Sequence, residues 1–319
     1  MIVANSTDPS IMSKETAALV QEISKIVNKY AIPTVSSIGL VVNILCMIVL
    51  KSTKQNTVYK YLFFKTLIDS FILFIGIGYA YKICNRTICQ NMFTEYYIVA
   101  IYSSYIFIIF RRCLFMTSIF IIISNNINRY LSLRQMKNLF YNLRGIVVAF
   151  FSLIFFCLQT IPSFYSIQVA DYYNRNTTSY LYTIEYVKPS TSNLYRYISF
   201  TGTTLLIFPA FLLIYSWKLL NRTINIRRIL LKKREIKLNK ICNFLTLVLI
   251  IQILCEVGLI IIWLFESPSI LKTDFKHVLI MLRDLTLMLN FLLYSLNTLI
   301  ILLFDGKIIK RIRKKKFCD

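Results

Sequence analysis

Seven runs of at least twenty mostly apolar residues, separated by short polar gaps, decide most of what this chain can become. They cover residues 31–51, 61–83, 97–126, 145–167, 197–217, 242–265 and 279–304, the third interrupted by Arg111 and Arg112. About 20 apolar residues are what a helix needs to cross the hydrocarbon core of a bilayer. A water-soluble globule is excluded: 57% of the 319 residues are hydrophobic, whereas soluble domains hold about 45–50%, and the surplus would have to face water. The 24 Phe and 21 Tyr residues exclude a disordered chain as well. The expected fold is therefore an all-α membrane protein, a seven-transmembrane helix bundle over 31–304. A polar tail over 1–30 precedes it, and a basic tail over 305–319 follows.

The net charge of +23 does not point to nucleic acid, because its location reads as topology. Of the 37 basic residues, 23 fall in segments 51–60, 129–144, 218–240 and 305–319, against only Glu235, Asp305 and Asp319. The opposite side holds 11 basic and 9 acidic residues. The positive-inside rule then puts the four basic segments in the cytoplasm and the N-terminus outside, in the plasma membrane. Residues 1–30 lack the basic-then-apolar pattern of a cleavable signal, which agrees. Sequons at Asn5, Asn85 and Asn176 fall outside, as glycosylation requires, while the one at Asn221 falls inside. Cys84 and Cys89 are the outer cysteines, either a local disulfide or two free thiols. Cys318, beside the basic tail, is a candidate for acylation.

Within the runs, several polar residues sit where lipid would penalise them, and such residues usually face the bundle interior. The first run reads Gly39-Leu-Val-Val-Asn43, the second Leu67-Ile68-Asp69, and the third ends in Asn128-Arg129-Tyr130. The fifth carries Phe208-Pro209, and the seventh closes with Asn297 and, seven residues on, Phe304. In identity, order and span, Asn43, Asp69, Arg129 and Asn297 resemble the signature positions of the rhodopsin-like G-protein-coupled receptors, over about 270 residues, and the resemblance implies a short amphipathic eighth helix within 305–319. Cys255-Glu256-Val257-Gly258 in the sixth run is similar to a stretch of invertebrate neuropeptide receptors, including the FMRFamide type. The chain departs from the pattern at Asn128, where an acid is usual, and at Gly258, where a proline is usual. Thr298 and Ile301 replace a proline and a tyrosine, and Ser104 stands where a disulfide cysteine is expected.

The resemblance implies that Asn43, Asp69, Ser118 and Asn297 converge at mid-membrane, around a sodium ion. Lys65 lies four residues from Asp69 on the same helical face. Either it replaces that ion or it snorkels to the inner interface. Arg129, with Tyr130, would meet a heterotrimeric G protein. Arg111 and Arg112 sit about 27 and 25.5 Å up the helix from Arg129, in the outer half where the family binds ligands. Arginine there disfavours cationic amines and suits an anionic or carbonyl-rich ligand, a peptide or small molecule. Glu256 is expected to pair with one of these arginines, and Asp284 with Arg283 at the outer entrance either to meet a basic peptide, together with Glu95, Asp171 and Glu185, or to form a solvated face. The Tyr-rich segment from Tyr172 to Tyr197 fits a peptide-contacting surface. Basic residues from Arg227 to Lys237 are expected to extend the fifth and sixth helices toward G protein and anionic inner-leaflet lipid.

An enzyme is disfavoured, since one His and no metal-ligand or phosphate-loop motif occur. A retinal pigment lacks its seventh-span lysine. A chemosensory seven-span receptor for small molecules stays open, as does an ion or proton path through the buried charges, although no internal repeat supports a transporter.

Overall fold

A computed structural model describes residues 14–51, 57–78, 102, 106–107, 110–134, 150, 152–154, 167–174, 179–186, 192–227, 233–265 and 273–304. Helix α1 (Lys14–Ile26) passes through a π-helical turn (Val27–Ala31) into α2 (Ile32–Lys51), and α3 is Thr57–Ile77. Helix α4 (Arg111–Leu133) is followed by strands β1 (Ile167–Asn174) and β2 (Ser179–Tyr186). Then come α5 (Ser192–Arg227), α6 (Lys233–Phe265) and α7 (Thr273–Phe304).

The helices are amphipathic in the opposite sense to those of a soluble protein. On α2 the buried positions are Ile32, Ser36, Gly39, Asn43, Cys46 and Leu50, spaced by three or four residues. The other face presents Ile38, Val41, Leu45 and Ile48 outward. On α5, Phe208, Phe211 and Tyr215 are 63%, 67% and 66% exposed, while Leu213, Ser216 and Leu220 turn in. Helix α6 exposes Phe244, Leu247, Ile251 and Leu254 and buries Gln252 and Glu256. An apolar perimeter around a polar interior suits a solvent of acyl chains, in which every backbone polar group must be satisfied within its own helix. Three stretches among the described residues, Ala18–Lys51, Leu238–Leu259 and Val278–Leu302, are long and apolar enough to cross a membrane. Helices α3 and α4 carry Lys65, Asp69, Arg111 and Arg129 and bury all four.

Packing follows the chain. Helix α2 contacts α3, α3 contacts α4, α4 contacts α5, α5 contacts α6, and α6 contacts α7, which returns to α2 and closes a ring. Helix α7 also reaches α3, and α4 reaches α6 across the interior. Of the run expected over 145–167, only residues 150, 152–154 and 167 are described; the first four are helical, and Leu153 packs on the core. Tyr61, Ile72, Phe115, Ile119, Leu249, Phe291 and Tyr294 are among the residues of the central core. A second cluster of Cys46, Leu50, Leu62, Leu238, Ile241, Leu245 and Ile301 joins the C-terminal ends of α2 and α7 to the N-terminal ends of α3 and α6.

Two features differ from the sequence reading and one follows it. The segment expected as a tail is helical from Lys14, and α1 packs against α7 with Val20 and Val27 buried. Helices α5, α6 and α7 overrun their apolar runs, so α5 reaches Arg227 and α6 starts at Lys233, as expected for basic helical extensions. A hairpin unforeseen by the hydropathy stands between α4 and α5, with Ile167 opposite Tyr186 and Asn174 opposite Ser179. Residues 79–101 and 305–319, with Cys84, Cys89, Cys318 and the expected eighth helix, lie outside the described residues, as do Asn5, Asn85 and Asn176.

Glycine has a steric reason at Gly39. A Cβ there would overlap the side chain of Ser295 on α7 and sit 3.1 Å from Leu73 on α3, so its absence lets three helices close together. At Gly258 a Cβ would meet nothing within 4 Å. Gly39→Leu is therefore expected to destabilise the detergent-solubilised protein by about 1–3 kcal/mol, lowering its Tm by about 2–4 °C per kcal/mol. Gly258→Ala should leave the Tm unchanged or slightly raised in the same thermal-shift measurement.

Candidate functional site

Polar side chains from α2, α3, α4, α6 and α7 occupy successive layers inside the ring. At the centre is Asp69, which is 1% exposed. Lys65, one turn away on α3, donates to its Oδ2 at 2.5 Å and is fully buried. Ser118 Oγ on α4 donates to Oδ1 at 3.1 Å, and Asn297 Nδ2 on α7 donates to Oδ2 at 3.3 Å. A carboxylate isolated in hydrocarbon is costly, and here a cation and two neutral donors compensate it. Lys65 thus points to the interior and does not snorkel. Asn43 faces the same interior, fully buried, but neither of its amide atoms finds a hydrogen-bond partner. Of the four residues expected to converge, Asp69, Ser118 and Asn297 are joined by hydrogen bonds, with Lys65 beside them, and Asn43 shares only their burial.

The donor set does not fit a sodium ion. Both carboxylate oxygens of Asp69 already accept hydrogen bonds, one of them from an ammonium at 2.5 Å. A second cation about 4 Å from that ammonium would be repelled by about 4 kcal/mol at an effective dielectric of 20.

Two turns outward along α4, Arg111 meets Glu256 of α6. Its Nη1 donates to Oε1 and its Nη2 to Oε2 at 3.1 Å, the fork geometry that makes arginine–carboxylate pairs strong. Asn290 Nδ2 of α7 donates to Oε1 at 2.5 Å, and the guanidinium lies 5.7 Å from the Phe107 ring centroid. The expected pairing of Glu256 with an arginine is realised by Arg111; Arg112, one position on, is half-buried. Between the two charged layers lie Phe115, Gln252 and Tyr294, each one turn inward from Arg111, Glu256 and Asn290. The Phe115 and Tyr294 rings pack edge to face at 6.3 Å. Gln252 and the Tyr294 hydroxyl are buried without a hydrogen-bond partner.

Asp284 does not join the Arg111 layer. It lies six residues before Asn290, about 9 Å farther along the helix, and is fully buried against the N-terminal helix. Ser24 Oγ and Asn28 Nδ2 donate to its Oδ2, the latter at 2.7 Å, and Arg283 Nε donates to Oδ1 at 3.3 Å. Its partners fix α1 to α7, so the open entrance expected for it is replaced by an internal joint.

Near the C-terminal end of α4, Arg129 is buried and its Nη1 reaches Cys242 Sγ of α6 at 3.8 Å. Asn125, one turn earlier, donates to the same sulfur at 3.3 Å, and Asn126 donates to Thr246 Oγ1 at 3.4 Å. Asn128 is buried with its Oδ1 unpartnered. Tyr130 is half-buried and stacks with the Arg134 guanidinium at 5.1 Å. Arg227 at the end of α5 donates to the Leu133 carbonyl, so α4 is tied to both α5 and α6.

Asn290, Asn125, Cys242, Ser24 and Asn28 escaped the sequence reading. Asn290 is two turns from Asn297 and Asn125 one turn from Arg129, so a helical-face count would have placed both inward. The chain matches no protein-family model, and no curated protein matches its sequence.

Removing one member of a buried pair leaves an uncompensated charge, which typically costs about 3–5 kcal/mol, whereas neutralising both members is far milder. Glu256→Gln should therefore lower the Tm markedly, and the double variant Arg111→Gln/Glu256→Gln should recover most of the loss. Equal and additive losses in the double variant would show that the two residues do not act as a pair.

Proposed function

We propose that this chain is a seven-span receptor of the rhodopsin-like G-protein-coupled kind, divergent in its motifs, with its N-terminus outside the plasma membrane. The observation that carries this reading is the inward convergence of Lys65, Asp69, Ser118 and Asn297 from three helices, inside a ring with an apolar perimeter. The N-terminal orientation rests on the basic inner segments.

In this reading the Arg111–Glu256–Asn290 layer is the floor of the ligand site, because it lies in the outer half and joins α4, α6 and α7 at one point. A ligand carrying a carboxylate or a row of peptide carbonyls competes with Glu256 for the guanidinium. Releasing Glu256 loosens α6 from α4, and only a ligand that binds the loosened arrangement better shifts the population toward it. The response is read at the other end, where Arg129 and Asn125 hold α4 to Cys242 on α6 through weak sulfur contacts. Parting these helices uncovers Arg129 and Tyr130 for a heterotrimeric G protein, with the basic ends of α5 and α6 resting on anionic inner-leaflet lipid. Arginine on the floor and a Tyr-rich hairpin in an outer segment favour a neuropeptide. A chemosensory receptor for small molecules has the same architecture.

A second reading, an ion or proton path, draws on the stacking of two buried ion pairs along one axis. One experiment separates them: nucleotide exchange on a co-expressed G protein against ligand-gated current in cells lacking G proteins, both under a panel of amidated peptides. The receptor reading expects exchange without current, and Arg129→Ala should reduce the exchange at least tenfold at unchanged surface expression. Arg111→Gln/Glu256→Gln should abolish the peptide response while the protein still reaches the surface. Current without exchange would replace the receptor by a conducting protein.

A further inference from the structure

The sodium ion implied by the resemblance has no place beside Asp69, and that misfit has a consequence. We propose that Lys65 is a covalently tethered counter-cation, which makes the polar centre of this protein independent of dissolved sodium and leaves a latent monovalent-cation site beneath it. Lys65 is fully buried with Nζ at 2.5 Å from Asp69 Oδ2. Its placement four residues along the same helix makes the pair intrahelical, so no rearrangement between helices separates the ammonium from the carboxylate. The remaining groups at the centre are rich in oxygen. Asp69 supplies two carboxylate oxygens, Ser118 a hydroxyl, and Asn297 an amide oxygen that is buried and without a hydrogen-bond partner. Hard monovalent and divalent cations take oxygen ligands of these types. With the lysine shortened to alanine, the space of its ammonium and stem would open beside this oxygen set, and a small cation entering it would restore neutrality.

The inference uses the geometry at Asp69 alone, and its readout is thermal stability, which needs neither ligand nor G protein. It can therefore fail while the receptor reading stands, and the reverse. The full chain, purified in detergent, is melted across a series of sodium chloride concentrations, with choline chloride holding ionic strength constant. The wild type is expected to melt at the same temperature in both salts. Lys65→Ala should melt lower in choline and regain stability in sodium by about 3–5 °C for each tenfold rise in concentration once the site fills. Lys65→Met/Asp69→Asn, with no charge left to balance, should fold and show no preference between the salts. A selective, saturable rise in wild-type Tm with sodium would overturn the proposal, because a free ion would then be reaching Asp69. So would a folded Lys65→Ala protein that treats sodium and choline alike. Should Lys65→Ala not fold in either salt, the latent site is refuted, and the wild-type series alone decides whether Lys65 acts as the tethered cation.

Discussion

Neutralisation of charge away from water is the constraint on which the rest of this structure depends. In its two central charged layers an ammonium, a guanidinium and two carboxylates lie buried inside a ring whose outer face is apolar, and each of these four has its counter-charge within hydrogen-bond reach. The pairs solve the problem differently. Lys65 and Asp69 belong to one helix, so their attraction does nothing to hold helices together, and Ser118 and Asn297 perform that task by donating to the carboxylate. Arg111 and Glu256 come from different helices, and their fork, with Asn290 added, is itself the link between α4, α6 and α7. The inner pair fixes composition, and the outer pair fixes assembly.

This division gives the two layers different weights in assembly. A buried bridge between helices is strong while complete and costly once half of it is removed. Farther along α4, its junction with α6 joins amide and guanidinium contacts to the Cys242 thiol with a hydrogen bond from Asn126 to Thr246.

Much of this was legible in the residues. The apolar runs located α2, α3, α5, α6 and α7, and the polar residues within them identified the layers, because a buried Asp or Arg in a lipid-facing segment has few places to go. Lys65 was ambiguous for a physical reason: its stem is long enough to reach either the interior or the interface, and only the position of neighbouring helices decides. Helix α1 was hidden by its charges, Lys14, Glu15, Glu22 and Lys25, although Val20, Ile23 and Val27 recur at helical spacing. The hairpin was hidden by method, since a window of twenty residues averages away two strands of eight. The density of Tyr, Ile, Val and Thr between Ile167 and Tyr186 is nevertheless the composition of strands. Asp284 was misread because acids near an outer end usually meet water, whereas α1 covers this one.

The π-helical turn between α1 and α2 has its own bearing on that joint. A π turn holds one residue more than the α-helix it interrupts, so everything upstream of Val27–Ala31 is rotated by about 100° relative to an unbroken helix. Ser24 therefore owes its approach to Asp284 to a single surplus residue in the chain. Excising any one of those five positions would restore the ordinary screw and turn the hydroxyl toward lipid or solvent. The length of this short stretch, more than its chemistry, keeps the first helix in register with the last.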